Sequence, residues 1–176
     1  MKVIIYGSQY GTAKKYAEEL GKRTDIEVKD YGNVDDINAY DTIIYFGALY
    51  AGGVTGMKRT FGKLNNVHDK NIIIATVGLA DPADKENTDN IKRGMEKQLS
   101  KDLFECAHIL HLRGGIDYAS LGIKHRTMMA MLHKKAVGLP EEKKTAEIRA
   151  MIETYNKKVD FTDFSRLDEI IELIES

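Results

Sequence analysis

Val3-Ile4-Ile5-Tyr6-Gly7-Ser8-Gln9-Tyr10-Gly11-Thr12-Ala13, continuing as Lys14-Lys15-Tyr16-Ala17-Glu18-Glu19-Leu20, carries the pattern from which the rest of the chain is read. A short apolar run from Val3 to Tyr6 reads as a strand buried on both faces. It ends in small and hydroxyl residues and passes directly into an amphipathic helix over Thr12 to about Lys22, with Ala13, Tyr16, Ala17 and Leu20 on one face. Such a turn collects unpaired backbone N–H groups at the positive end of a helix dipole, where a phosphate can sit without a metal cation. Ser8 and Thr12 offer hydroxyls, and Gly11 permits close approach of the backbone. Taken alone, the loop reads equally as a phosphate site and as a plain strand-to-helix turn.

The same alternation recurs downstream. Ile26 to Tyr31 reads as a more polar edge strand, and Thr42 to Gly47 as a buried one. A Gly-rich segment, Ala48 to Gly56, precedes a helix with Met57, Phe61 and Leu64 on one side. Asn71 to Val77 is the fourth strand. A polar loop opens at Asp81-Pro82, a helix covers about Thr88 to Lys101, and Glu105 to Leu112 is the fifth strand. Strands alternating with helices imply right-handed βαβ crossovers. The expected fold class is therefore α/β: a three-layer sandwich around a five-stranded parallel sheet of order 2-1-3-4-5. Ligands then bind beyond the C-terminal strand ends, at the switch point between strands one and three.

After strand five the rhythm breaks. Residues of about 113–160 read as a helical insert within one domain spanning 1–176. They hold a Gly-Gly turn, a Met-rich helix near His125 to Lys135, and a second helix with Thr145, Ile148, Met151, Ile152 and Tyr155 at helical spacing. The final helix, Asp163 to Ile174, brings Phe164, Leu167, Ile170, Ile171 and Ile174 to one face. The 125–135 stretch is an apolar run between basic ends. It reads foremost as a helix packed on the domain with a charged rim. A helix lying on an anionic membrane surface, or a soft methionine cap over a hydrophobic pocket, are the alternatives.

Composition narrows the classes. At 176 residues the chain can bury a proper core, and its formal charge of −1 gives no general attraction to nucleic acid. The lone Cys106 leaves no internal disulfide, and in Leu103 to Ala107 it reads as a packed thiol on a strand. The chain enters its opening strand directly and has no apolar run near the ~20 residues of a membrane span, so a cytoplasmic location is expected. The opening loop is not a G-x-x-x-x-G-K-[ST] sequence and lacks G-x-G-x-x-G, which disfavours triphosphatase and dinucleotide chemistry. His108 and His111 point to opposite faces of a strand, which argues against a metal site.

Two further loops share the sheet edge with the first. Gly47 to Val54, containing Ala48, Leu49, Tyr50, Ala51, Gly52 and Gly53, places small residues around one aromatic, which suits a flat ring. Thr76, Val77, Gly78, Leu79, Ala80 and Asp81 offer backbone groups to that ring's polar edge. Each is also readable as an ordinary loop. Together with Ser8, Gln9, Tyr10, Gly11, Thr12 and Ala13 they make the chain resemble the flavodoxin-like FMN proteins, whose phosphate loop reads [Ser/Thr]-x-Thr-Gly-x-Thr. The match is at Ser8 and Gly11. Tyr10 and Ala13 stand where threonines are usual, and Thr12 is left to supply a hydroxyl. The resemblance covers about 2–112 plus the last helix. A narrower similarity, carried by Leu112 to Tyr118, the Met-rich helix and Phe161 to Phe164, is to the branch containing menaquinone-dependent protoporphyrinogen oxidase.

What the resemblance implies is an FMN-dependent redox protein whose three loops bind the cofactor, with Tyr50 stacking on the ring. The chemistry then belongs to the flavin, in keeping with a sequence that shows no triad or paired carboxylates. Three functions are expected in order. The chain is an oxidoreductase acting on an organic substrate or a quinone, with the insert as substrate wall. Alternatively it is a one-electron carrier docking on a redox partner protein. As a third alternative it is a cofactor-free interaction module of the same fold. The near-zero charge weakens the carrier reading, since an acidic surface is what steers basic redox partners. Peripheral membrane contact through 125–135 belongs to the oxidoreductase reading.

Overall fold

The computed structural model describes residues 1–50 and 52–176. β1 (Lys2–Gly7) leads into α1 (Thr12–Thr24), followed by β2 (Val28–Asp30), β3 (Thr42–Tyr50), β4 (Gly53–Val54) and α2 (Met57–Phe61). Next come β5 (Asn71–Gly78), α3 (Lys85–Glu96), α4 (Lys101–Cys106) and β6 (His108–Arg113). The chain finishes with β7 (Gly115–Asp117), α5 (Ile123–Val137), α6 (Ala146–Thr154), β8 (Lys158–Asp160) and α7 (Leu167–Glu175). The parallel strands run β2-β1-β3-β5-β6, which is the expected 2-1-3-4-5 order, and β4 pairs only with β3.

Register places apolar residue beside apolar residue across the sheet centre: Ile4 opposite Ile44, and Ile44 opposite Ile73. Because successive residues of a strand point to opposite faces, each run feeds two cores. Ile4, Ile44, Phe46 and Ile73 face α1 and α7, while Ile5, Ile43, Tyr45 and Ile74 face Met57, Met95 and Leu103 of the opposite layer. Helices therefore cover both faces, and the strand ends with their loops are left for the ligand.

Several boundaries differ from expectation, among them the second strand, which is only Val28–Asp30, and the final helix, which begins at Leu167. Cys106 closes α4 instead of lying in a strand, because Ser100 accepts a hydrogen bond from the Leu103 amide and starts a helix there. The fifth parallel strand accordingly begins at His108. α3 starts earlier than Thr88, since Asp84 accepts from the amides of Glu86 and Asn87. The second ligand loop is in part strand: β3 continues to Tyr50, with Leu49 opposite Val54 and Tyr50 opposite Gly53 in an antiparallel pair.

The insert has its own stem and core. β7 and β8 pair antiparallel as a ribbon, Ile116 opposite Val159. Above it Ile116, Tyr118, Leu121 and Met129 form a third apolar cluster, joined by Tyr10 and Leu79 from the sheet side. The Met-rich helix is thus packed on the domain, with Met129 and Ala136 turned inward and Ile123, Met131 and Val137 exposed. No described helix is long and apolar enough to cross a membrane.

Candidate functional site

The site lies where the C-terminal ends of β1, β3 and β5 meet the insert. A cavity of about 500 Å³ opens there, floored by Ala48, Leu49, Val77 and Gly78 and walled by insert residues such as Met129 and Met151. Its size falls in the ~300–1,000 Å³ range of small-molecule sites.

At the β1 end, Gly11 holds a left-handed backbone (φ 91°) and caps α1, with nothing within 4 Å of where a Cβ would stand. No side chain caps α1 and its first turn has no acidic residue. Ser8 Oγ accepts the Gly11 amide (3.0 Å), which leaves its own proton free to donate. The amides of Thr12, Ala13 and Lys14 have no acceptor among the described residues. An uncapped α-helix N-terminus approached through glycine and a free hydroxyl is a donor set for a phosphate ester.

The other members of this loop do other things. The Thr12 hydroxyl donates to Gly115 O (3.0 Å) and accepts from Gly115 N (3.3 Å), so it fastens α1 to the insert stem instead of facing a phosphate. The Ala13 side chain is fully buried in the core, and only its amide can serve. Gln9 Nε2 meets His125 Nε2 of the insert at 3.3 Å. Tyr10 turns into the cavity and donates its hydroxyl to Met129 Sδ (3.2 Å). Burial, with neighbouring Tyr50, pushes its pKa up to about 12, so it remains a donor at all ordinary pH.

In the second loop, Ala48, Leu49, Tyr50 and Gly52 line the cavity, and the Tyr50 hydroxyl meets Met128 Sδ. Gly53 belongs to the hairpin, its backbone packed on Gln98. Ala51 lies outside the described residues. In the third loop, Val77, Gly78 and Leu79 line the cavity. Three expected members do not line it: Ala80 is buried with its amide on Glu147, Thr76 is buried on the far face of the sheet against His111 Nδ1 (2.7 Å), and Asp81 is exposed and closes a turn by accepting from the Ala83 amide. Strand alternation sends the Thr76 side chain to the opposite face, and the turn at Asp81 takes that carboxylate out to solvent.

Two contributors escaped the sequence reading. Thr55 sets its backbone carbonyl against Gly7 at the entry to the first loop, and its side-chain hydroxyl is buried with no partner among the described residues. Glu147, from α6, accepts from the Leu79 amide with Oε1 and the Ala80 amide with Oε2, both at 3.0 Å. Neither position had a local signal, since each reaches the site through a long-range contact. The insert therefore touches all three loops, through Tyr10 and Gln9, through Tyr50, and through Leu79 and Ala80.

A family model described as a flavodoxin domain matches residues 3–143. The chain belongs to the flavodoxin-domain family. No curated protein matches it in sequence. Among solved structures, a cysteine mutant of flavodoxin from Pseudomonas aeruginosa is 17% identical, covering 74% of this chain and 93% of its own, at a TM-score of 0.43. A flavoprotein in complex with FMN from Lactobacillus acidophilus is 16% identical over 64% of this chain and 91% of its own, at 0.39. Fusobacterium nucleatum flavodoxin bound to flavin mononucleotide is 15% identical over 66% and 70%, at 0.39. These likenesses add nothing to what the strand order already says of the fold. Within this flavodoxin-domain chain, the matched segment ends at residue 143, just before α6, which carries the residue that reaches Leu79 and Ala80.

Proposed function

We propose that this flavodoxin-domain protein binds FMN and acts as an oxidoreductase on an organic substrate or a quinone. The observation that carries the reading is the roofed cavity. An uncapped helix N-terminus, with Ser8 beside it, stands at one end, and an apolar chamber lies over the β3 and β5 loops. The donor set suits the group: amides of Thr12 to Lys14 and the Ser8 hydroxyl would hold the phosphate. Tyr50 and Leu49 offer flat apolar contact to the ring, and the amides of Leu79 and Ala80, which here donate to Glu147, are the backbone donors its polar edge would take. FMN, when bound, supplies the redox chemistry.

The insert separates an enzyme from a carrier. A carrier must leave its ring edge open to a docking protein, whereas here Met129, Leu132, Leu139, Ile148 and Met151 wall the chamber. Soft, apolar side chains that exclude water suit an organic molecule better than a protein surface. Within the family we place the chain beside the branch containing menaquinone-dependent protoporphyrinogen oxidase, on the insert after the last parallel strand and its Met-rich helix. Exposed Ile123, Met131 and Val137 beside Lys124 and Lys134 favour peripheral contact of α5 with an anionic membrane surface.

Titration with FMN tests the reading. The protein is expected to quench flavin fluorescence, and the loaded form to oxidise a porphyrinogen or reduce a quinone. Absence of quenching overturns FMN binding. Quenching with neither activity, but with rapid electron exchange with a reductase or ferredoxin, replaces the enzyme by a carrier.

A further inference from the structure

Glu147 occupies donors that a ring in this cavity needs. Its carboxylate spans two consecutive amides of the β5 loop, one oxygen to each. Glu147 forms no ion pair with any cation among the described residues, and the helix it sits on is already capped by Thr145, which accepts the Ile148 amide. Nor does the loop depend on it for shape. Arg113 Nε donates to Leu79 O (3.0 Å) and the Gly114 amide to Gly78 O (2.7 Å), so the end of β6 and the residue after it fix the same peptides from their carbonyl side. Glu147 is thus an acceptor set against amides that would stay in place without it. It packs tightly there: a Cβ on Gly78 would come within 3.0 Å of its Oε2.

We propose that Glu147 competes with the flavin: its carboxylate and the polar edge of the ring exclude one another at the amides of Leu79 and Ala80, so α6 must give way as the ring enters. This rests on the FMN reading above. The two acceptors differ in strength. A carboxylate makes charge-assisted hydrogen bonds, about twice as strong as those to a neutral carbonyl. The ring therefore gains these donors only against a resident anion, and affinity is set by an insert residue that touches no part of the phosphate site. The stem stays fastened through Thr12 on Gly115, while the polar contacts of α5 on the loops are weak ones, Tyr10 and Tyr50 hydroxyls on methionine sulfur and Gln9 on His125, so the helices above the stem are held to the loops by side chains and by no regular element.

The test compares FMN affinity of the full chain with Glu147→Ala and Glu147→Gln by fluorescence quenching, with amide exchange at Leu79 and Ala80 followed in the cofactor-free proteins. We expect Glu147→Ala to bind FMN at least about tenfold more tightly, the effect of losing a charged competitor. Glu147→Gln, which keeps a neutral acceptor, should fall between, and both should exchange the two amides faster than the parent. Quenching by both variants but not by the parent supports the proposal equally. Equal or weaker binding in both variants, with the parent binding FMN, overturns the competition and leaves the FMN reading standing. Quenching by none of the three overturns the FMN reading and the competition with it.

Discussion

At the scale of single residues, the chemistry of the site is mostly main chain, and this sets what substitution can do. Ser8 is the one side chain of the first loop with a hydroxyl proton left to donate. Ser8→Ala is expected to weaken FMN binding by roughly 1–3 kcal/mol, the contribution of a hydrogen bond to a charged group, read as about a 5- to 150-fold rise in Kd by fluorescence titration. His111 acts on stability instead. Burial holds its pKa down at about 4 against an ordinary 6.5, with Lys92 adding to the effect. Its Nδ1 is paired with Thr76 and its Nε2 is buried without a partner among the described residues. Between those two pH values the unfolded chain binds the proton and the fold does not. Stability therefore falls as pH drops from about 6.5 to about 4, by on the order of 1–3 kcal/mol, and is fully present above 6.5. His111→Gln should flatten that part of the urea-unfolding profile relative to the parent. A variant profile that tracks the parent through this window would remove His111 as its source.

At the scale of elements, α1 and the insert divide the work. The N-terminus of α1 has no side-chain cap and no acidic first turn, so an anion there offsets free amides. Inorganic phosphate should raise the melting temperature of the protein above that in chloride of equal ionic strength. Gly11→Val should abolish that rise and the FMN affinity together, because a β-branched residue is strained at φ 91°. A phosphate effect that survives Gly11→Val would place the anion elsewhere. The opening loop and α1 were readable because strand, turn and helix follow one another within a few residues. Thr12 was not: its hydroxyl is free by local rules and is taken only because the chain returns at Gly115, far along the sequence. Likewise the stretch ending in Cys106 looks equally apolar as helix or strand, and the Ser100 cap decides for helix.

At the scale of the whole molecule, the two sheet cores and the insert cluster differ in how completely they are enclosed. Ile44 and Ile73 lie wholly inside, between helices and neighbouring strands, whereas the insert core joins a two-stranded ribbon to α5 and α6. Ile73→Ala is expected to cost about 2–5 kcal/mol in urea unfolding, by lost transfer energy and a cavity that cannot collapse. Hydrogen exchange should show β3 and β5 opening only with global unfolding and α5 and α6 opening at lower free energy. Equal protection of insert and sheet would rule out a roof that moves separately.

What the amino-acid sequence determined by itself is the alternation of elements, the parallel sheet with its order, and the three loops at its C-terminal edge. Those follow from period, length and turn chemistry, which are local. The tertiary structure alone decided which members of those loops face the cavity: Tyr10, Tyr50 and Leu79 do, while the side chains of Ala13, Thr76 and Asp81 do not. It alone brought Glu147 and Thr55 to the site. The physical reason is that a residue's face along a strand depends on register, and a contact made across a long loop of chain depends on packing, neither of which leaves a periodic trace in the sequence.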